Sequence, residues 1–157
     1  MDDLIAFLRA RLDDDEQTAL SWPEDSRRWQ TVGGRRLSYR NGSSQTVTAI
    51  DISNASSLWN EQIYVKYDLD GAAEHIARQD PARVLAEVDA KRRMVALHEP
   101  VTLHAGGGAA HFDTTRVCRS CEPPKQFPET AYPCATLRLM ALPYADRHPD
   151  YRDAWRP

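Results

Sequence analysis

Three cysteines constrain this chain more than any other feature. Cys118 and Cys121 form a CxxC pair, and Cys134 follows twelve residues later, directly behind Pro133. The opening Met1-Asp2-Asp3 offers neither the basic nor the apolar stretch of a secretory leader, so the expected compartment is the reducing cytoplasm, where an odd number of thiols argues against a disulfide framework. Two thiols on one tight knuckle can both reach a tetrahedral Zn²⁺ at about 2.3 Å. Cys134 stands at the predicted start of a helix, whose positive end suits an anionic thiolate. A closed structural site needs four protein ligands, and with no fourth cysteine the remaining one must be a histidine.

The chain has five histidines. His98 ends a long predicted helix and ranks first because a rigid element aims it; His111 and then His104 follow, both on a predicted loop. His75, among apolar neighbours on a short helix, reads as a buried structural residue, and His148, in a polar tail, as solvent-exposed. The expected ligand set is Cys118, Cys121, Cys134 and His98 around a structural Zn²⁺. Thiol redox chemistry at the CxxC is disfavoured, because a thioredoxin-like pair precedes a helix and here Glu122-Pro123-Pro124-Lys125 cannot form one.

The rest of the chain supplies the scaffold. With 157 residues, 41% apolar and 27% charged, it suits one globular domain with one core. No apolar run is long enough to span a bilayer. Leu4, Leu8 and Leu12 recur every four residues, with Ile5, Ala19 and Leu20 near the same face, which predicts an amphipathic helix to about Ser21. The run Asp13-Asp14-Asp15-Glu16 lacks the spaced oxygens of a calcium loop and reads as a solvated face. Strands are expected over 36–40, 45–52 and 62–67, with turns at Gly33-Gly34 and Asn41-Gly42. A short helix over 71–79 precedes a longer one opened by Asp80-Pro81, with Asp as N-cap and Pro at the first helical position. Its stripe of Val84, Leu85, Val88, Val95 and Leu97 runs to His98, and Glu87/Lys91 and Asp89/Arg93 are acid-then-base pairs one turn apart. Leu137, Leu139, Met140 and Leu142 predict a short C-terminal helix, after which Tyr144, Tyr151 and Trp155 pack the tail back.

Net charge is −3, yet residues 1–25 carry eight acids against Arg9 and Arg11, a local −6 that leaves +3 elsewhere. Arg27, Arg28, Arg35, Arg36 and Arg40 supply most of that excess. Interleaved with Trp29 and Tyr39, they form a composition seen in single-strand nucleic-acid binders; the overall negative charge favours a solvated sheet face instead. Gly106-Gly107-Gly108 lacks the Lys-Ser/Thr of a phosphate loop, and neither HExxH nor GxSxG occurs.

The stretches MDDLIAFLRARLDDDE, EHIARQDPARVLAEVDAKRRMVALH and YPCATLRLMALPYADRHPDYRDAWRP resemble an uncharacterised family of small actinobacterial and actinophage proteins, over nearly half of the chain. The central stretch is also similar to a motif of small accessory phage proteins in which a helix pair follows short strands. The resemblance implies a helix-terminal histidine, a CxxC and a YPC cysteine, at His98, Cys118, Cys121 and Cys134 here. It implies no reaction, and it includes members without the cysteines, which makes zinc a stabilising elaboration of the fold.

The expected architecture is an α+β single domain over 1–157: a helix (1–22), an antiparallel meander of three to four strands (28–67), a helical pair (71–98), a metal-stapled loop (99–134), and a C-terminal helix and tail (135–157). The expected function is that of a non-enzymatic, zinc-stabilised binding or regulatory accessory protein of an actinobacterium or its phage, with another protein as partner and no membrane. The alternatives are a nucleic-acid-binding accessory protein using the basic hairpin Arg27–Arg40, and a small zinc metalloenzyme whose fourth coordination position is open.

Overall fold

The leucine period of the N-terminal residues is realised as α1 (Asp3–Leu20). A computed structural model of the chain describes residues 3–38, 44–51, 62–65, 71–104, 114–121 and 132–157. The described residues form a mixed α+β fold, divided into two compact units: residues 14–88, and residues 1–13 with 89–157. The division falls within α1 and within α3 (Pro81–Leu97). No helix among the described residues is long and apolar enough to cross a membrane.

In the unit 14–88, β1 (Gln30–Ser38), β2 (Ser44–Asp51) and β3 (Gln62–Val65) form an antiparallel sheet in the order β1-β2-β3, the expected meander with three strands. Here β1 begins six residues earlier than the strand expected over 36–40. Gly33-Gly34 does not turn the chain: the register shifts between Val32 and Arg35, so the glycines mark a bulge inside one strand. A missing side chain weakens a strand interior without reversing it. Asn41-Gly42 lies outside the described residues, although the Ser38↔Ser44 pair closes the hairpin on either side of it.

The short helix α2 (Ala72–Ala77) lies against β1 and β2. It starts at Gly71, whose φ of 91° is a left-handed conformation that glycine adopts without Cβ strain. Ile50, Ala73 and Ala77 are the buried centre of this unit, with Trp22 and Trp29 packed at its edge, their rings 5.2 Å apart and edge-on. Asp80 caps α3 as expected: one carboxylate oxygen accepts from the Arg83 amide at 2.7 Å and the other from the Trp29 amide at 3.3 Å. A single side chain thereby caps the helix and anchors the entry to β1.

In the unit formed by 1–13 and 89–157, Leu4, Leu8 and Leu12 are each 1–2% exposed, and Ile5 and Phe7 join them. Val95, Val117, Cys118, Cys134, Leu137, Ala141 and Trp155 are buried in it as well. Leu97, expected on the buried stripe of α3, is 59% exposed, and Leu20 at the end of α1 is exposed as well. Both lie at helix ends, where the period of the apolar face outruns its partner. Asp89 pairs with Arg93 at 2.7 Å in this unit, and within the unit 14–88 Glu87 accepts from Arg83 at 2.8 Å.

The tail does pack back. Beyond α4 (Ala135–Ala141), two 3-10 turns, Leu142–Tyr144 and Asp153–Trp155, and the segment between them carry Tyr144, His148, Tyr151 and Trp155 around the Phe7 ring, at centroid distances of 5.8, 5.3, 6.2 and 5.1 Å. The first three are edge-on and the Trp155 ring is tilted at 47°; edge-on packing satisfies the ring quadrupoles as well as burying area. Arg11 lies over the same ring and meets His148 Nε2.

One expectation changes in kind. Residues 99–134 are not all loop, because β4 (Pro100–His104) and β5 (Thr114–Cys118) pair as an antiparallel hairpin with Pro100 opposite Cys118.

Candidate metal centre

The site is built where α3, the β4–β5 hairpin and α4 end or begin. Glu99 precedes a proline, which disfavours helical backbone there. The last helical hydrogen bonds come from the His98 amide, to Met94 O at 3.1 Å and Val95 O at 3.2 Å. The chain turns directly into β4, so His98 stays fixed to the helix end while the strand leads away. Pairing of Pro100 with Cys118 then brings the end of β5 alongside. The Arg119 amide donates to Glu99 O at 3.0 Å, and Ser120 Oγ donates to Leu97 O at 2.5 Å. These two bonds tie the knuckle 118–121 to the residues flanking His98. Cys134 arrives from the other side as the N-cap residue of α4, behind a cis Tyr132–Pro133 bond. Arg138 holds that entry by donating through Nε to Pro133 O at 2.9 Å.

The result is a convergence on one atom. His98 Nδ1 lies 3.3 Å from Cys118 Sγ, 3.4 Å from Cys121 Sγ and 3.5 Å from Cys134 Sγ. All four donor atoms lie within 4.8 Å of one another. Metal bonds of about 2.3 Å to sulfur and about 2.1 Å to nitrogen, at tetrahedral angles, separate N from S by about 3.6 Å. The three observed separations are slightly shorter than that edge. Cys118 and Cys134 are fully buried, whereas His98 and Cys121 are partly exposed. No disulfide joins any of the three sulfurs.

Crowding three thiols has an electrostatic cost. Burial first, then hydrogen bonds with Cys118 and Cys134 and the charge each would carry, push the Cys121 thiol from 9.0 up to about 12. Three thiolates so close repel one another unless a cation lies among them. The donor set of three soft sulfurs and one imidazole nitrogen, in tetrahedral spacing, suits a borderline-soft divalent ion. With Nδ1 facing the sulfurs, the imidazole has its Nε2 directed away from them.

The other residues singled out by sequence fall elsewhere. His104 lies in β4, with its side chain outside the described residues, as is the whole of His111. His75 is exposed on α2 rather than buried: the six-residue helix turns its small residues Ala73 and Ala77 inward. His148 is not solvent-exposed; its side chain is 20% accessible and packs on Phe7, because the tail folds back at that point. Arg27 donates through Nε to Trp22 O at 2.9 Å and so braces a turn, and Arg28 is exposed. Arg40, like the side chains of Arg35 and Arg36 and the segment Gly106–Gly108, lies outside the described residues. Asp13, from the acidic run, accepts from Arg92 at 2.6 Å on an exposed face. Sequence reasoning missed Ser120 and Glu99, which position the knuckle; their only signal is that they are the neighbours of the cysteine pair and of His98.

A family model matches residues 1–157 and describes a family of unknown function (DUF6221). No curated protein and no solved structure gives a significant match to the chain.

Proposed function

The chain belongs to that family of unknown function, and we propose that its four-residue cluster is a closed structural Zn²⁺ site in a non-enzymatic protein that binds or regulates another protein. The observation that carries the metal reading is the placement of His98 Nδ1 within 3.5 Å of all three sulfurs. Nothing in ordinary core packing asks one imidazole nitrogen to face three thiols, whereas a tetrahedral ion does. Zinc fits best because it takes mixed thiolate–imidazole sets without redox change or a geometric preference of its own. Four protein donors leave no coordination position for water or substrate, which supports a structural role over the metalloenzyme alternative. The ion would join the end of α3, the end of β5 and the start of α4 at one point.

Elemental analysis of the purified chain is the direct test. The expected result is one zinc per chain, with Co²⁺ substitution giving the visible absorption of a tetrahedral thiolate site. Metal-free protein with three reactive thiols, and a melting curve that zinc does not move, would overturn the reading. The partner is tested by co-purification from the native host. A stoichiometric protein partner is expected, and recovery of nucleic acid in its place would favour the Arg27–Arg40 alternative.

A further inference from the structure

The four ligands are not equally protected. Cys118 and Cys134 have no solvent exposure, while Cys121, at the outer end of the knuckle, is partly exposed. Susceptibility of a cysteine to oxidation follows thiolate character and access together. A metal supplies thiolate character to all three, so access alone distinguishes them. Cys118 lies three residues before Cys121 in the same turn, and their sulfurs fall within the 4.8 Å cluster. Cys134 sits on a separate element, at the start of α4.

We infer that Cys121 is an oxidative modification site through which hydroperoxides open the metal centre, with Cys118 as the resolving thiol. This rests on the zinc reading above. The Cys121 thiolate attacks the peroxide; its sulfur gains the terminal hydroxyl as the O–O bond breaks, giving a sulfenic acid and, from hydrogen peroxide, a hydroxide that becomes water. The Cys118 thiolate then attacks that sulfur, so that the S–S bond forms and the S–O bond breaks, releasing a second hydroxide. Two thiolates have lost two electrons, one hydrogen peroxide has become two waters with two protons from solvent, and the metal retains only His98 and Cys134. Two ligands do not hold a structural zinc, so the ion leaves. The knuckle and the start of α4 are then no longer joined through it, and a thiol reductant with zinc reverses the sequence.

The experiment uses the full chain after its zinc content has been measured. Limiting alkylation of the zinc-loaded chain, followed by peptide mapping, is expected to label Cys121 before Cys118 or Cys134. Hydrogen peroxide should release one zinc per chain, followed with a chromogenic chelator, in step with a Cys118–Cys121 disulfide. Cys121→His, which keeps a fourth donor and removes the entry thiol, should slow release by an order of magnitude or more. A chain that binds no zinc overturns the metal reading and this inference with it. A chain that binds zinc overturns this inference alone if the metal survives excess peroxide, if a buried cysteine is labelled first, or if the disulfide involves Cys134.

Discussion

Two places in the unit formed by residues 1–13 and 89–157 join segments that are far apart in sequence, and they do it by opposite means. At the cysteine–histidine cluster, His98 meets sulfurs 20, 23 and 36 residues away through four directional donor atoms. At the aromatic clasp, Phe7 meets four rings from the tail, and Arg152 meets Asp3 across 149 residues. The clasp gains its energy from non-directional burial and tolerates small errors of shape. The cluster is built of groups that repel or desolvate one another when alone, so its stability is conditional on what lies among them. One junction is self-sufficient; the other, on the zinc reading proposed above, depends on solution chemistry: metal supply, acidity and oxidant.

Removing a sulfur is the largest way to break that contrast. Cys134→Ser, or stripping the metal with a chelator, is expected to lower the melting temperature by on the order of 10 °C, given the free energies that structural zinc sites supply. Hydrogen exchange should quicken at the amides of Arg119 and Arg138, which hold the knuckle and the start of α4. Amides of α1 residues 7–12 should be affected least; equal loss of protection in both places would show the two junctions to be one cooperative structure.

Phe7→Ala is the reciprocal cut. It removes the ring that all four tail aromatics share and is expected to cost about 3–5 kcal/mol, as for other buried aromatics. Denaturant titration reads that loss, while zinc content should stay at one per chain. A fall in zinc content on this substitution would couple the clasp to the cluster.

Alkali separates the two in the metal-free chain. The folded-state value of Cys121 lies near 12, above its ordinary 9.0. The neutral thiol is therefore favoured by folding, and the unfolded chain gives up its proton first. Stability from this group is fully present below pH 9 and is lost as pH climbs towards 12. Melting curves of metal-free protein across that window should fall more steeply than those of a metal-free Cys121→Ala variant; parallel curves would show that the crowding is relieved in solution.

Arg152→Ala is the smallest change. Its pair with Asp3, at 2.6 Å, is more than half exposed on both sides, and pairs of this kind contribute about 0–1 kcal/mol. Arg152 also lies over Trp155 at 5.5 Å, so the expected loss sits near the upper end of that range. A larger loss would mean that charge, and not burial, closes the tail.

The sequence was most informative where one physical rule acts alone. The Leu4-Leu8-Leu12 period needs only helix geometry, and Asp80-Pro81 needs only capping chemistry, so α1 and α3 were legible nearly to the residue. His98 was ranked first because a helix end is rigid, and its Nδ1 faces all three sulfurs; His111 and the side chain of His104 lie outside the described residues. Where two rules compete, the sequence was mute. Thr114-Thr115-Arg116-Val117-Cys118 carries little apolar alternation and stands nine residues from the end of its partner strand, so β5 was hidden inside what read as loop. Gly33-Gly34 satisfies both a turn and a bulge, and only the pairing of Val32 with Ala49 and of Arg35 with Val47 decides between them. His148 read as polar tail because nothing local announces that Phe7 waits for it.

The discontinuity of one unit bears on how the chain is made. Residues 14–88 are continuous, so every partner that this unit needs has been synthesised by the time Val88 leaves the ribosome. The first three turns of α1 have no such fortune. Their buried face of Leu4, Ile5, Phe7, Leu8 and Leu12 is completed only when the segment carrying Tyr144 to Trp155 emerges. Throughout that interval an apolar helix face is presented to the cell without its cover, the condition under which nascent chains recruit chaperones or aggregate. These turns are thus written well before their cover and are among the last parts of their unit to be folded.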